Sequence, residues 1–120
     1  MKTVNIHKDK EMEVLIDKDT KVRLGFAGWI NIDNESVYVD TRNGTGYDIV
    51  IKKLDRMIKF LASKYKFSGF TFEDAKQHVC MHVLEGIPKF DPTRENVKLS
   101  TFLQMRIQRR LINEIRDNSR

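Results

Sequence analysis

The spacing of apolar residues changes from a strand pattern to a helix pattern at residues 43–46 (NGTG), and this change most constrains the fold. Before it, short apolar runs are separated by polar residues that favour turns, as in hairpins of antiparallel strands. Val22, Leu24 and Phe26 alternate with other residues and are expected on one face. We therefore predict a small antiparallel sheet over residues 12–40, which should pack against the helices that follow.

After the turn signal, apolar residues recur every three or four positions, which is typical of the buried face of a helix. Three helices are predicted, of which the first covers residues 48–66. The second begins after Thr71 and runs to about Glu85, where Gly86 is expected to end it in a left-handed conformation. The third begins at about Ser100. In the last two helices the residues expected in the core are Phe72, Ala75, Val79, Val83, Leu84, Phe102, Leu103, Ile107, Leu111, Ile112 and Ile115.

The fold is thus predicted to be mainly α with a small N-terminal antiparallel β element. Residues 1–46 would form the β-rich extension, and residues 47–120 would form the three-helix unit. With 40% hydrophobic residues, the chain suits a folded domain rather than a disordered segment. No apolar run approaches about 18 residues and the N-terminus lacks the apolar core of a secretion signal, so we expect no membrane partner. A single cysteine, Cys80, excludes an internal disulfide and indicates a reducing cytoplasm.

Positive charge is concentrated in the second half of the chain. The net charge is +5, of which residues 1–60 contribute +1 and residues 61–120 contribute +4. The last twenty residues hold five arginines against two acidic side chains. The planar guanidinium of arginine suits phosphate and base-edge contacts, because it donates paired hydrogen bonds. This pattern indicates contact with nucleic acid, and the alternative is a solvated helix face.

His78 and His82 are four residues apart, so they share one face of the second predicted helix and could bind zinc with Glu85 as a third ligand. The glutamate of the zinc-protease motif is absent, because Val79 and Cys80 stand between the histidines. We therefore interpret the pair as surface histidines and predict no metal. The sequence contains no evident nucleophile–base pair and no glycine-rich phosphate loop, so no catalytic residue and no cofactor are predicted.

Four motifs in the second half of the chain follow one another at nearly fixed spacing. They are FLASKYKFSG at residues 60–69, Asp74 with Gln77, Lys89-Phe90-Asp91, and the segment from Lys98-Leu99-Ser100-Thr101-Phe102 to Arg116-Asp117. This order resembles region 2 of the sigma-70 family, the bacterial factors that give RNA polymerase its promoter specificity. The resemblance covers about residues 48–120. Within the family, the segment KFSGF at residues 66–70 is most similar to the late-transcription sigma factors of large bacteriophages.

The resemblance implies that the second helix contacts the clamp helices of the largest subunit of core RNA polymerase. It also implies that the last helix recognises and opens a −10-like element of promoter DNA. Phe102 stands where the family has a stacking tyrosine, and such stacking is worth about 1–3 kcal/mol per base. The polymerase-binding residues would be Asp74, Gln77, His78 and Met81. The DNA-binding residues would be Arg94, Lys98, Phe102, Met105, Arg106, Arg109, Arg110 and Asn113.

The chain also departs from the family pattern. Met105 and Arg106 replace the usual pair of tryptophans, so Met105 would have to act as the apolar wedge. We find no helix-turn-helix for a −35 element, so a second protein could supply that function. The resulting hypothesis is a phage-type sigma factor, without enzymatic activity, acting in the cytoplasm of a bacterial host. Two alternatives remain: a regulator that docks on RNA polymerase without promoter recognition, and a basic helical module that binds nucleic acid by itself.

Overall fold

The N-terminal part of the chain forms a four-stranded antiparallel sheet in which each strand pairs with its neighbour in sequence. The computed structural model describes residues 2–5, 12–65, 71–93 and 97–118. Asp33 and Asn34 have φ of 52° and 66°, the left-handed values of a two-residue hairpin turn between β3 and β4. The sheet predicted over residues 12–40 is confirmed, with one further strand before it. The strands are β1 (Lys2–Asn5), β2 (Glu13–Asp17), β3 (Val22–Ile32) and β4 (Glu35–Asp40).

Strand β3 contains a bulge, and the side chains that point to the core alternate differently on its two sides. Between Leu15 and Ile16 of β2 the register shifts, and Leu24 is the residue of β3 that the pairing skips. Val22 and Leu24 are consequently exposed, whereas Phe26 is fully buried. The expectation that these three side chains share one face is therefore wrong, because one extra residue in a strand reverses its alternation.

Within the described ranges, four helices follow the sheet instead of the three predicted. They are α1 (Tyr47–Lys53), α2 (Asp55–Lys64), α3 (Phe72–Gly86) and α4 (Leu99–Asn118), with a 3-10 turn at Ile87–Lys89. The helix predicted over residues 48–66 is divided at Leu54, whose N–H is shared between the carbonyl oxygens of Lys52 and Val50. This tightened turn separates α1 from α2 but keeps the hydrogen-bond ladder nearly continuous. Residue 66 lies outside the described ranges.

Helix α3 begins as predicted but ends differently. The Asp74 N–H donates to the Thr71 hydroxyl at 3.1 Å, and the Thr71 N–H donates to the Asp74 carboxylate at 3.2 Å, which makes a capping box. Gly86 is right-handed, with φ of −82°, so the predicted left-handed stop is wrong. A Cβ on Gly86 would lie 2.6 Å from Leu103 Cδ2. Glycine suits this position because α4 packs closely against it, not because the helix stops.

The sheet and the helices share one hydrophobic core. It includes Phe26 of β3, Ile58 of α2, Val79 of α3 and Leu103 of α4, all at most 1% exposed. Two residues predicted for this core, Leu84 and Ile112, are instead exposed by 41% and 50%, because they lie on the flanks of their helices. None of the helices in the described ranges is long and apolar enough to cross a membrane.

Candidate functional site

One face of α3 gathers the four predicted polymerase-binding residues. Asp74, Gln77, His78 and Met81 are spaced by three, one and three residues, so they project from the same side of a helix. Together they line a shallow open pocket of about 410 Å³. Met81 is 46% exposed although it is apolar, and His78 is half-buried. The structure thus brings these residues together in a surface that combines polar groups with an exposed apolar side chain, which suits a protein partner.

The outer side of α4 displays four of the predicted DNA-binding residues. Met105 is 58% exposed, and Arg109, Arg110 and Asn113 are also exposed, because Leu103, Ile107 and Leu111 take the buried face. Lys98, just before the helix, is exposed as well. Arg94, the remaining predicted phosphate contact, lies outside the described residues. This surface therefore offers two exposed guanidinium groups and one apolar side chain to a partner.

Phe102 lies at the edge of the core rather than on the open surface. It is half-buried, and its ring centroid is 5.6 Å from that of Phe90. Phe90, which is 6% exposed, contacts Phe26 of β3 edge-on at 6.0 Å. The Phe102 ring is therefore only partly available for stacking on a base.

Arg106 differs from the other arginines of α4. Its Nε and Nη2 atoms are buried and have no hydrogen-bond partner within the described ranges. Its side chain lies against Gly86 of α3, where an added Cβ would be 3.3 Å from Arg106 Cδ. Burial lowers the pKa of this guanidinium, and the charge of Arg110 acts in the same direction. The side chain that the sequence places on the DNA-facing side is therefore held against α3, and a DNA contact would require it to move.

A histidine–carboxylate cluster joins α3 to α4, and sequence reasoning missed one of its members. Glu114 of α4 accepts hydrogen bonds from both histidines of α3: its Oε1 lies 3.1 Å from His82 Nε2, and its Oε2 contacts His78 Nε2. His82 is 4% exposed, so the interpretation of both histidines as surface residues is wrong. Glu85, which its spacing makes a candidate third ligand although the sequence predicts no metal, lies on the other side of the His82 ring, 3.7 Å from Nδ1. Glu114 flanks Leu111 and could have been found as the acidic residue beside the apolar stripe of α4.

The loop between α3 and α4 is fixed to the sheet. Asp91 forms an ion pair with Arg23 of β3 at 2.7 Å and also accepts from the backbone N–H of Thr93 at 3.0 Å. Partial burial opposes ionisation of Asp91, but the hydrogen bonds from Thr93 and Arg23 outweigh it and lower its pKa. The start of α4 is therefore positioned in part by the sheet.

Residues 50–120 match the protein family described as Sigma-70 region 2. A curated protein of Arabidopsis thaliana named "RNA polymerase sigma factor sigB" is 29% identical over 99 residues, which cover 79% of this chain and 17% of that protein. The chain thus spans less than a fifth of the relative's length. No solved structure matches the chain.

Proposed function

Since the chain belongs to the sigma-70 region 2 family, we propose that it acts as a sigma factor. In this role it binds core RNA polymerase and recognises and opens a −10-like promoter element, so that transcription begins at a defined place. The polymerase carries out the chemistry, and the chain contributes binding surfaces only. It acts wherever the polymerase acts, which for a bacterial or phage system is the cytoplasm.

The observation that carries this proposal is the pocket on α3. Its lining residues, Asp74, Gln77, His78 and Met81, are the four positions to which the family resemblance assigns polymerase binding. The family match covers the whole of α3 and α4. An exposed methionine among polar groups can pack against an apolar site on a partner, and the polar groups around it set the orientation. The clamp helices of the largest polymerase subunit are the partner we propose.

The outer side of α4 is the proposed DNA surface. Arg109 and Arg110 are free to contact phosphates or base edges, and Met105 is the most exposed large apolar residue of the helix. Opening a duplex requires a base to leave the stack, which costs a few kcal/mol. An apolar wedge such as Met105, together with stacking on the exposed part of Phe102, would offset that cost.

Transcription in vitro with the core RNA polymerase of the natural host cell tests the proposal. The full chain should direct initiation at specific sites, and permanganate should detect unpaired thymines there only when both proteins are present. Gln77→Ala and Met81→Ala should weaken polymerase binding. Leu84→Ala removes a similarly exposed apolar side chain from the same helix outside the pocket and should not. Site-independent initiation, or no binding to core polymerase, would refute the role.

The DNA surface is tested separately from polymerase binding. Arg109→Ala should reduce promoter opening while leaving polymerase binding unchanged. Arg56→Ala removes the same charge from an exposed position on α2 and serves as the control. If Arg109→Ala has no effect on opening while Gln77→Ala abolishes binding, the chain is a polymerase-docking regulator instead. The held position of Arg106 and the partial burial of Phe102 favour that second candidate. Tight binding to duplex DNA without polymerase would indicate a separate nucleic-acid module.

The narrower part of the proposal is a bacteriophage late-transcription factor that works with a second protein for the −35 function. It is supported by the sequence KFSGF at residues 66–70, which lies outside the described residues. The relative reported above is a plant protein, so the choice of promoter has to be tested directly. Initiation at late phage promoters, and not at housekeeping promoters of the host, is the expected result.

A further inference from the structure

The contact between α3 and α4 contains three side chains with metal-binding atoms directed at one point. His78, His82 and Glu114 each offer a ligand atom, and these atoms lie within 4.8 Å of one another. The two histidines come from successive turns of α3, and the glutamate comes from the facing side of α4. We propose that this cluster binds one Zn²⁺ ion, which joins the two helices.

The donor set is one that zinc prefers. Neutral imidazole nitrogens and a carboxylate oxygen bind Zn²⁺ at about 2.0–2.2 Å, so two ligand atoms of a tetrahedral site lie about 3.3 Å apart. The Nε2 atom of His82 is 3.1 Å from Glu114 Oε1, already close to that separation. His78 Nε2 approaches the other oxygen of the same carboxylate. Small rotations of the side chains would place the ion between the three groups, with a water molecule as the fourth ligand.

The environment of His82 fits metal binding through Nε2 by a neutral imidazole. Its Nδ1 atom is buried and has no hydrogen-bond partner among the described residues, although Glu85 Oε2 is 3.7 Å away. If Nε2 carried the proton and donated it to Glu114, Nδ1 would be a lone-pair acceptor facing a carboxylate. If Nε2 binds a metal, Nδ1 carries the proton and can donate it to Glu85. A carboxylate behind a metal-binding histidine is the usual arrangement in zinc sites.

Because the cluster lies between the α3 and α4 surfaces, a bound ion would affect how these surfaces are arranged. His78 also lines the pocket on α3, and Glu114 follows Asn113 on α4. An ion bound to both helices would fix the angle between the two surfaces. The part of this statement that concerns polymerase and DNA rests on the proposed function, whereas the metal site itself does not.

Metal binding by the isolated full chain tests the proposal. After treatment with a chelator, titration with ZnCl₂ should give one ion per chain, and Co²⁺ in its place should give the visible absorption of a tetrahedral site. His78→Gln and Glu114→Gln should each weaken Zn²⁺ binding at least tenfold. Cys80→Ser, which removes the neighbouring thiol on the same helix, should leave the binding unchanged. These measurements involve no polymerase or DNA, so they succeed or fail separately from the proposed function.

Three results would overturn the proposal. One is the absence of Zn²⁺ binding to the wild-type chain at micromolar concentrations. Another is binding that survives in the double variant His78→Gln/Glu114→Gln, since that would place the ion elsewhere, for example at His7 or Cys80. The third is an octahedral Co²⁺ spectrum of the wild-type chain. The wild-type stoichiometry and spectrum also decide the question if either variant fails to fold.

Discussion

The junction between the sheet and α1 depends on a glycine that approaches another part of the backbone. Gly46 has φ of 84°, and a Cβ built on it would overlap the carbonyl oxygen of Tyr38 and lie 3.1 Å from the carbonyl carbon. Gly44 has nearly the same φ, 78°, but its Cβ would lie 3.8 Å from Tyr47 Cδ2, which is an ordinary contact. The two glycines therefore share the same backbone requirement and differ in the space around them. We predict that Gly46→Ala destabilises the protein far more than Gly44→Ala.

The expected loss of stability for each substitution follows from this difference in the surrounding space. A left-handed alanine costs about 1–2 kcal/mol, and the reduced freedom of the unfolded chain returns about 0.4–1 kcal/mol, so Gly44→Ala should cost about 1 kcal/mol. Gly46→Ala has the same cost and must also displace a main-chain carbonyl, which cannot rotate away as a side chain can. Overpacking of this kind costs about 1–3 kcal/mol. It would also strain the hydrogen bond from the Val50 N–H to the Gly46 carbonyl, which is 3.0 Å long. We expect a total of about 3–4 kcal/mol.

Urea denaturation followed by far-ultraviolet circular dichroism measures both variants. With a denaturant dependence of about 1–3 kcal/mol per molar, Gly46→Ala should move the midpoint at least about 0.7 M below that of Gly44→Ala. If the free energies of unfolding of the two variants differ by less than about 1 kcal/mol, the inference that a Cβ at position 46 overlaps the Tyr38 carbonyl is refuted. If Gly44→Ala is as damaging as Gly46→Ala, the backbone conformation alone controls the turn.

Three further predictions concern stability. Leu103→Ala should lower the free energy of unfolding by about 3–5 kcal/mol in chemical denaturation, because the side chain is fully buried. Ile112→Ala, at an exposed position of the same helix, should change it by less than about 0.5 kcal/mol. Equal effects of the two substitutions would contradict the packing of α4. Thr71→Ala should cost about 1 kcal/mol, because it removes the cap of α3, and Thr71→Ser should restore most of it. Hydrogen bonds from Arg42 lower the pKa of Asp40 although burial opposes this, so its carboxylate stabilises the fold above an unfolded pKa of about 3.9. The destabilisation by Asp40→Asn should therefore be largest above about pH 5 and shrink as the pH falls below about 4; a constant difference across that range would refute it.

The hydrophobic spacing predicted the elements well because burial of one face is a local property. The sheet and the buried stripe of α4 follow from it, and the start of α3 follows from the capping residue Thr71, which is also a local signal. The bulge at Leu24 could not be predicted, since it depends on how β2 and β3 pair. The role of Gly86 was also misjudged, because its neighbour Leu103 is brought there only by the tertiary fold.

In the candidate site, too, features set by local sequence could be predicted, whereas those set by the packing of distant segments could not. The four residues of the α3 pocket share a face because helical spacing requires it, and the family resemblance already names them as a group. The surroundings of Arg106 and Glu114 could not be predicted, because they depend on how closely α4 packs against α3. That packing turns a guanidinium inward and places a carboxylate between two histidines.

The contacts among Phe26, Phe90 and Phe102 have a consequence for what the N-terminal sheet does. The three rings touch in series from β3 to the first turn of α4. Phe102 is therefore supported from behind by a strand that lies outside the family match, which begins at residue 50. A fragment that started at residue 47 would still contain α1 to α4 but would lack Phe26, so Phe90 and Phe102 would lose the aromatic contact behind them. The sheet thus backs the ring of Phe102, for which we propose stacking on a base, and shortening the chain from its N-terminus would remove that support.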